Sequence, residues 1–487
     1  MPILDQSFST ENFEIIYNIL SRKGKVNMDR MPKAYKDIVA DITGINERLK
    51  ELNHKKKSTW TDDETTEHQS LKNKRKELRI KKHEELLKIL SSLADKVNSN
   101  AFRFDLNKNI YDGHEEFVVD SPNRAAYYAM CQLQHNMKRT FNIEMQPRHS
   151  IMVSIKRLLN TKMPFYAIRS DVSDFFESIP QEDLLAKIES NSLLSYKSKS
   201  FIRAILKEYN EKKDTSKVDT EHGVPRGVGI SSMLSEIYMQ DIDRELKSRL
   251  EVIFYVRYVD DIFMVMSSLG KHVNIVDYYD DIKSFFACKG LILKNIDDKK
   301  CKILDYVNGG KDNDSFYYLG YNINLDYHEN RIKADFCLSE KKKRKLKTRI
   351  DNAFTHFDNL SRKNLKQARR DLLDALRLIS GNVRLMNSKN GIKAGLYYSN
   401  DLLDDGGLKE LDTFTQSIQD MPLKVSERTI SDSEKRSDFV RKMKERIAKI
   451  DLKQSWKNKT MYNIHMDRLS EIMKWLDYEK KEDKASV

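Results

Sequence analysis

Two adjacent carboxylates, Asp260 and Asp261, stand in the middle of an apolar, aromatic and β-branched stretch, YVRYVDDIFMV, residues 255–265. Neighbouring acids between buried strands repel one another and lose solvation, so folding alone disfavours them. The apolar residues on both sides suggest a β-hairpin with the pair near its turn. A third carboxylate lies upstream in YAIRSDVSDFFESIP, where an apolar strand (Phe165 to Ile168) ends at Asp171 and Phe175 and Phe176 precede Pro180. A strand-end acid beside a hairpin-turn pair can bind two divalent cations. Hard oxygen ligands suit Mg²⁺, with Mn²⁺ as the alternative. Such a pair of ions can activate a sugar 3′-hydroxyl and stabilise a leaving pyrophosphate, work done by positioned charge rather than covalent help. The competing interpretation is a structural acid cluster.

The flanking elements must hold these acids in place. Between Asp171 and the pair lies HGVPRGVGISSMLSEIYMQDIDREL, in which three glycines surround a proline and a helical pattern follows. Glycines there permit close backbone approach, so the loop before the helix can cradle a templating base and an incoming nucleotide. Downstream, GLILKNIDDKKCKIL places Lys299 and Lys300 in a helix-to-strand passage, and FYYLGYNINL reads as a short strand with a turn at Gly320. Alternating strands and helices to about Leu325 give way to an almost wholly helical pattern from Leu338.

With 487 residues, the chain is long enough for about two to four domains and a large core. A hydrophobic content of 39% against 33% charged residues marks a charge-rich, helix-rich, soluble chain. No apolar run is long enough to span a membrane, and MPILDQSFSTENFEII lacks the layout of a signal peptide, so a cytoplasmic protein without a membrane partner is expected. Cys131, Cys288, Cys301 and Cys337 show no metal-ligand spacing and fit a reducing compartment. The formal charge of +13 favours a polyanionic partner.

Four regions are expected. Residues 1–100 form an N-terminal helical extension, with a short stripe of Ile45, Leu49 and Leu52 and a longer one of Leu71, Leu78, Leu86, Leu90, Leu93 and Val97. Thr61 and Glu64 fit a capping box that opens the second helix. Residues 101–335 hold the motifs, beginning with strand-like AFRFDL and EEFVVD; residues 336–420 are helical; residues 421–487 are a linker and a last helical portion whose end, EKKEDKASV, is expected to fray.

The order DVSDFF, PRGVGISSMLSE, YVDD, the lysine segment and YLGY resembles motifs A to E of the palm of reverse transcriptases, over about residues 165–325. This resemblance implies an α+β right-hand polymerase fold, with fingers and palm in 101–335 and a thumb in 336–420. It implies Asp171, Asp260 and Asp261 as ligands of two Mg²⁺, with the Val172 carbonyl as a further ligand. Phe176 matches the steric-gate aromatic that crowds a ribose 2′-hydroxyl and so favours deoxynucleotides. Arg226 stands where many relatives carry glutamine and, with Gly227, falls near the incoming nucleotide. Lys300 matches the lysine that can protonate pyrophosphate, with Lys299 as the alternative. Arg124 and Arg148 are candidates for triphosphate-binding arginines of the fingers. Tyr318 and Gly320 fall at the turn that supports the primer strand, and Lys341 and Lys345 lie in a basic run that can track a phosphate backbone. Ser232 stands where proline is common, and Val259 replaces the alanine of intron-type enzymes.

Blander interpretations apply to several neighbours. Asp174 and Glu177 read as surface or helix-start acids, Arg257 as a residue that orients the hairpin, and Tyr317 and Tyr318 as core. Arg349 and His356 have a spacing seen in some ribonuclease motifs, read as coincidence.

Beyond the palm, LDQSFSTENFEII, PRGVGISSMLSEIYMQDID and SGNVRLMNSKNGIKAGLYYSN resemble bacterial defence-associated reverse transcriptases of the unknown-group/abortive-infection class. The nearest likeness is to the first of the two reverse transcriptases of the type III defence system. The resemblance implies an RNA-directed DNA polymerase that copies a structured noncoding RNA into DNA from dNTPs in antiphage defence. A second reverse transcriptase is the implied protein partner, and further copies of the chain are the alternative. The rival functions are an RNA-dependent RNA polymerase and a noncatalytic RNA-binding scaffold on a polymerase-like palm.

Overall fold

A computed structural model describes residues 5–22, 26, 28–55, 59–111, 114–119, 124–214, 221–267, 274–310, 314–328, 331–385 and 392–478. The expected frayed end, 479–487, lies outside the described residues. Three helices open the chain: α1 (Thr10–Arg22), α2 (Lys33–His54) and α3 (Asp62–Asn98). Thr61 and Glu64 do cap α3 reciprocally, each side chain accepting from the other's backbone N–H at 3.2 Å. Ile45, Leu49 and Leu52 are buried on α2, and Leu86, Leu90, Leu93 and Val97 on the C-terminal half of α3.

A hairpin of β1 (Leu106–Tyr111) and β2 (His114–Val119) follows, then α4 (Arg124–Thr140) and α5 (Arg148–Leu159). AFRFDL is not a strand before Leu106. Phe102 and Phe104 instead pack against Phe201 at ring separations of 5.5 and 5.2 Å, so their apolar spacing serves a cluster rather than a ladder.

The central segment runs β3 (Tyr166–Asp171), α6 (Phe175–Ser178), α7 (Gln181–Ser190), α8 (Tyr196–Lys212), α9 (Ser231–Ser248), β4 (Val252–Tyr258), β5 (Asp261–Met266), α10 (Ile275–Cys288) and β6 (Lys302–Asp305). Strands β4, β5, β3 and β6 form, in that order, a four-stranded antiparallel sheet. Successive residues of a strand face opposite sides. Tyr166 and Ile168 of β3 and Ile262, Met264 and Met266 of β5 enter one hydrophobic core, shared with α1, α3, α4 and α9. Ala167, Phe263 and Val265 enter a second, shared with α5 and with buried residues between Leu304 and Leu476. The sheet is the partition between the two cores.

Next come β7 (Asp314–Tyr318), β8 (Tyr321–His328) and β9 (Arg331–Leu338), a second antiparallel sheet. The expected turn at Gly320 is present, with positive φ at Leu319 and Gly320 (40° and 81°), as a two-residue hairpin loop of the I′ kind requires. Helices α11 (Glu340–Ser361) and α12 (Leu365–Ser380), a small hairpin of β10 (Asn382–Arg384) and β11 (Lys393–Gly395), and helices α13 (Asp405–Asp420), α14 (Ser433–Ile447), α15 (Leu452–Lys457) and α16 (Met466–Leu476) complete the chain. The β10–β11 hairpin interrupts what the sequence pattern predicts as almost wholly helical. Among the described residues, no helix is long and apolar enough to cross a membrane.

Candidate active site

Antiparallel pairing of β3 with β5 sets Asp171 directly opposite Asp261. Strands β4 and β5 pair Tyr258 with Asp261, which leaves Val259 and Asp260 as a two-residue turn. The turn is tied across to β3, because the Val172 N–H donates to the Asp260 carbonyl at 3.1 Å. One oxygen from each of Asp171, Asp260 and Asp261 lies within 4.8 Å of the others. Val259 carries φ of 61°, an uncommon conformation for a β-branched residue. Arg257 pins it: the guanidinium donates to the Val259 carbonyl at 2.8 Å and is itself held by Glu236 and Asp243 of α9. Arg257 thus orients the hairpin, as expected from the sequence.

The charge around the triad is unbalanced. Burial, and then the Asp171 charge, push the Asp260 carboxyl above its ordinary value. Burial pushes Asp261 up to about 6; Arg169 opposes this, while Asp171 and Asp260 add to it. Arg169, only 4% exposed, donates to Asp261 Oδ1 at 2.7 Å from two residues before Asp171 on the same strand face. Lys300 Nζ donates to Asp171 Oδ2 at 2.7 Å. Burial lowers the pKa of this ammonium, but the hydrogen bond and the field of the three acids outweigh it and hold it above the ordinary value. Lys299 makes no such contact. Three buried or half-buried acids with too few cations fit hard divalent ions, and Asp171, Asp260 and Asp261, with the adjacent Val172 carbonyl, are the groups that could hold them.

A second junction lies beside the triad. Phe176 and Glu177 sit on the one-turn helix α6, behind Asp174 in a left-handed conformation. The glycine loop pairs with this turn: Val224 N–H donates to the Phe176 carbonyl at 2.7 Å and Gly223 N–H to that of Ile179 at 2.8 Å. Glu177 is no bare surface acid, because it accepts two hydrogen bonds from Arg226 at 3.0 and 3.2 Å. The β1–β2 hairpin closes on the loop, with Phe117 N–H on the Arg226 carbonyl at 2.7 Å. A Cβ at Gly227 would lie 2.7 Å from the Phe117 carbonyl, and φ there is 88°, so glycine is needed.

Other predicted residues are placed elsewhere. Arg124 is engaged by the N-terminal extension, donating to the Arg30 carbonyl and the Met31 sulfur rather than reaching the acids. Arg148 is engaged at the β7–β8 turn. Helix α5 buries Ile151, Met152 and Ile155 with the β7–β9 sheet, and the Arg148 guanidinium donates to the Leu319 carbonyl against Gly320. Tyr318 is fully buried beneath Asp261, its hydroxyl 3.4 Å from the Asp261 carbonyl, so its ring is core and does not face a primer; Tyr317, on the opposite strand face, is 46% exposed. Lys341 is exposed, and Lys345 lies 3.5 Å from Asp477. Arg349 grips Asp477 at 2.6 and 3.0 Å, and His356 stacks on Trp475 and bonds Asp371, so their spacing serves packing of α16. The sequence reading missed Arg169. Its signal was a lone cation inside an otherwise apolar strand.

The family model described as "Reverse transcriptase (RNA-dependent DNA polymerase)" matches residues 72–323, just over half of the chain. No curated protein matches. Among solved structures, the chain is similar to a telomerase from Candida albicans in complex with a TWJ fragment of telomeric RNA (13% identity, TM-score 0.31, 72% of this chain and 56% of that one). It is also similar to an apo telomerase from Candida tropicalis (11% identity, TM-score 0.36, 78% and 65%). The chain thus spans little more than half the length of the first of these. The family match and the α+β palm make the fold that of a right-hand polymerase, and the chain belongs to the reverse transcriptases, RNA-directed DNA polymerases.

Proposed function

We propose that this reverse transcriptase copies a structured noncoding RNA into DNA by two-metal nucleotidyl transfer. The observation that carries the mechanism is the cluster of Asp171, Asp260 and Asp261 oxygens within 4.8 Å, held by two paired strands and short of positive charge. Mg²⁺ bound there would supply Lewis acidity to the primer 3′-hydroxyl and to the departing phosphates. The chain's own groups do the rest. The β3–β5 pairing fixes the carboxylates before substrate arrives, so little reorganisation accompanies the reaction. Lys300, kept protonated by the acids it faces, donates a proton from Nζ to the leaving pyrophosphate. Phe176 crowds the ribose 2′-position and selects dNTPs. Exposed Lys341 on α11 and the neighbouring basic residues would track the nucleic-acid backbone, with α11–α13 as the thumb.

The flanking-sequence resemblance supports a place among bacterial defence enzymes of the cytoplasm, nearest the first reverse transcriptase of the type III system. A second reverse transcriptase or further copies of the chain are the proposed protein partners. The test is dNTP incorporation with Mg²⁺ on primed RNA. The wild type extends the primer with DNA; Asp260→Ala combined with Asp261→Ala folds, binds RNA and incorporates nothing. Full activity in that variant would overturn the mechanism, and a preference for rNTPs would make the enzyme an RNA polymerase. Sequencing the nucleic acid that co-purifies from cells identifies the template.

A further inference from the structure

Helix α6 is four residues long, too short to be stable by itself, yet it carries Phe176. Its ring is only partly buried and packs at one edge on Phe175, 5.4 Å away. Something else must hold it. The guanidinium carbon of Arg226 stands 5.7 Å from the ring centroid, within cation–π range. Arg226 is in turn gripped by both oxygens of Glu177, the residue that follows Phe176. Bidentate arginine–carboxylate pairs fix orientation as well as distance. On its far side the Arg226 backbone is clamped by the β1–β2 hairpin through Phe117. Ring, arginine and carboxylate therefore form a closed unit, with one member on the glycine loop and two on α6.

We propose that Glu177 and Arg226 are positioning residues that lock the Phe176 ring, and so set how strictly the site rejects ribonucleotides. The proposal rests on Phe176 being the wall against the 2′-hydroxyl. An aromatic ring free to swing leaves room for the extra oxygen; a ring braced by a fixed guanidinium does not. The Arg226 guanidinium pairs with Glu177 through two of its nitrogens while its carbon stands over the ring, so one planar group braces both neighbours. The lock also links selectivity to the β1–β2 hairpin, because displacing Phe117 moves the Arg226 backbone.

The test is single-nucleotide extension by the full-length enzyme on poly(rA)·oligo(dT), comparing kcat/KM for dTTP and for UTP, with thermal unfolding to confirm the fold. Phe176→Ala should lower the dTTP preference, which establishes the wall. Glu177→Gln should lower it about tenfold, a typical penalty for a small loss of fit in a pocket. Arg226→Lys, which keeps the charge but not the planar fork, should lower it in the same direction and less. Phe176→Ala with Glu177→Gln should be no less selective than Phe176→Ala alone, since the pair acts through the ring. If Phe176→Ala relaxes selectivity but Glu177→Gln keeps the ratio within twofold, the lock is wrong and the gate stands. Equal losses with both nucleotides in Glu177→Gln also overturn the lock. If Phe176→Ala leaves the ratio unchanged, the gate falls and the lock with it.

Discussion

In the palm, Asp171, Asp260 and Asp261 face Arg169 and Lys300; between α11, α12 and α16, Asp371 and Asp374 face Arg468, His356 and Gln367. Both clusters contain a buried aspartate and an aspartate–arginine pair, but they are completed differently. Asp371 accepts from Gln367 at 2.6 Å and from Arg468, while His356 Nε2 lies 2.9 Å from its other oxygen. Asp374 accepts from Nε and Nη2 of Arg468 at 3.2 Å each, and Glu471 accepts from its Nη1 at 2.9 Å. His356 is further fixed by stacking on Trp475 at 4.0 Å. That cluster is closed and ties α16 to the two long helices. The palm cluster is open: burial and mutual repulsion raise Asp260 and Asp261, and Lys300, 54% exposed, is a cation that can move away. An acid cluster that protein groups satisfy is a staple, and one left short of positive charge marks where external cations act.

This contrast can be broken most directly by making the same change in both places. Asp171→Asn should reduce nucleotide incorporation by about a thousandfold or more, with the urea midpoint unmoved or raised as repulsion is relieved. Asp371→Asn should do the reverse, costing about 3 kcal/mol of stability because Arg468 loses a buried partner, with activity per folded molecule retained. Comparable destabilisation by both substitutions would erase the distinction.

Removing the arginines sharpens it. Arg169→Met and Arg468→Met should each lower stability, by about 2–3 kcal/mol. Millimolar Mg²⁺ should recover part of the loss in Arg169→Met, because a bound cation replaces the lost charge beside Asp261. Magnesium should recover none in Arg468→Met. Thermal shifts with and without the ion read both, and equal recovery in the two would sink the argument.

The smallest effect concerns a half-buried cation with neutral hydrogen-bond partners. Lys342 donates to the Ser399 carbonyl at 3.0 Å and to Asn400 Oδ1, and lies 4.4 Å from the Tyr321 ring centroid. Burial, with Arg148 adding and Asp401 opposing, lowers its pKa from 10.5 to about 8. Between those values the unfolded chain holds more protons than the folded one, so stability rises with pH across that window. Wild type should gain on the order of 1 kcal/mol there relative to Lys342→Met. Parallel urea curves for the two proteins at pH 8 and pH 10 would remove the effect.

What was legible in the sequence was local. YVRYVDDIFMV betrays its hairpin through apolar residues on either side of an acidic pair, and Asp171 stands out at the end of an apolar strand. The α3 capping box spans four residues and is readable for the same reason. Arg169 was not legible: a cation within a strand looks solvent-facing until its partner, 92 residues away, is known. Arg148 reads as a triphosphate-binding candidate until its contact, 171 residues distant, is known. Adjacent Tyr317 and Tyr318 must face opposite ways, but only the register of β7 on β8 decides which one is core. Glu177 looked like an ordinary helix-start acid because its partner lies on another loop.

A central sheet with a core on each face has no soft side. The layers above and below β3 and β5 behave as a laminate, each stiffened by the other through Ile168 and Met264 on one face and Ala167 and Phe263 on the other. Local fraying therefore has no route to the carboxylates, and the β3 amides should exchange with solvent only when the whole laminate parts. Heat or denaturant will then silence this polymerase abruptly rather than by degrees.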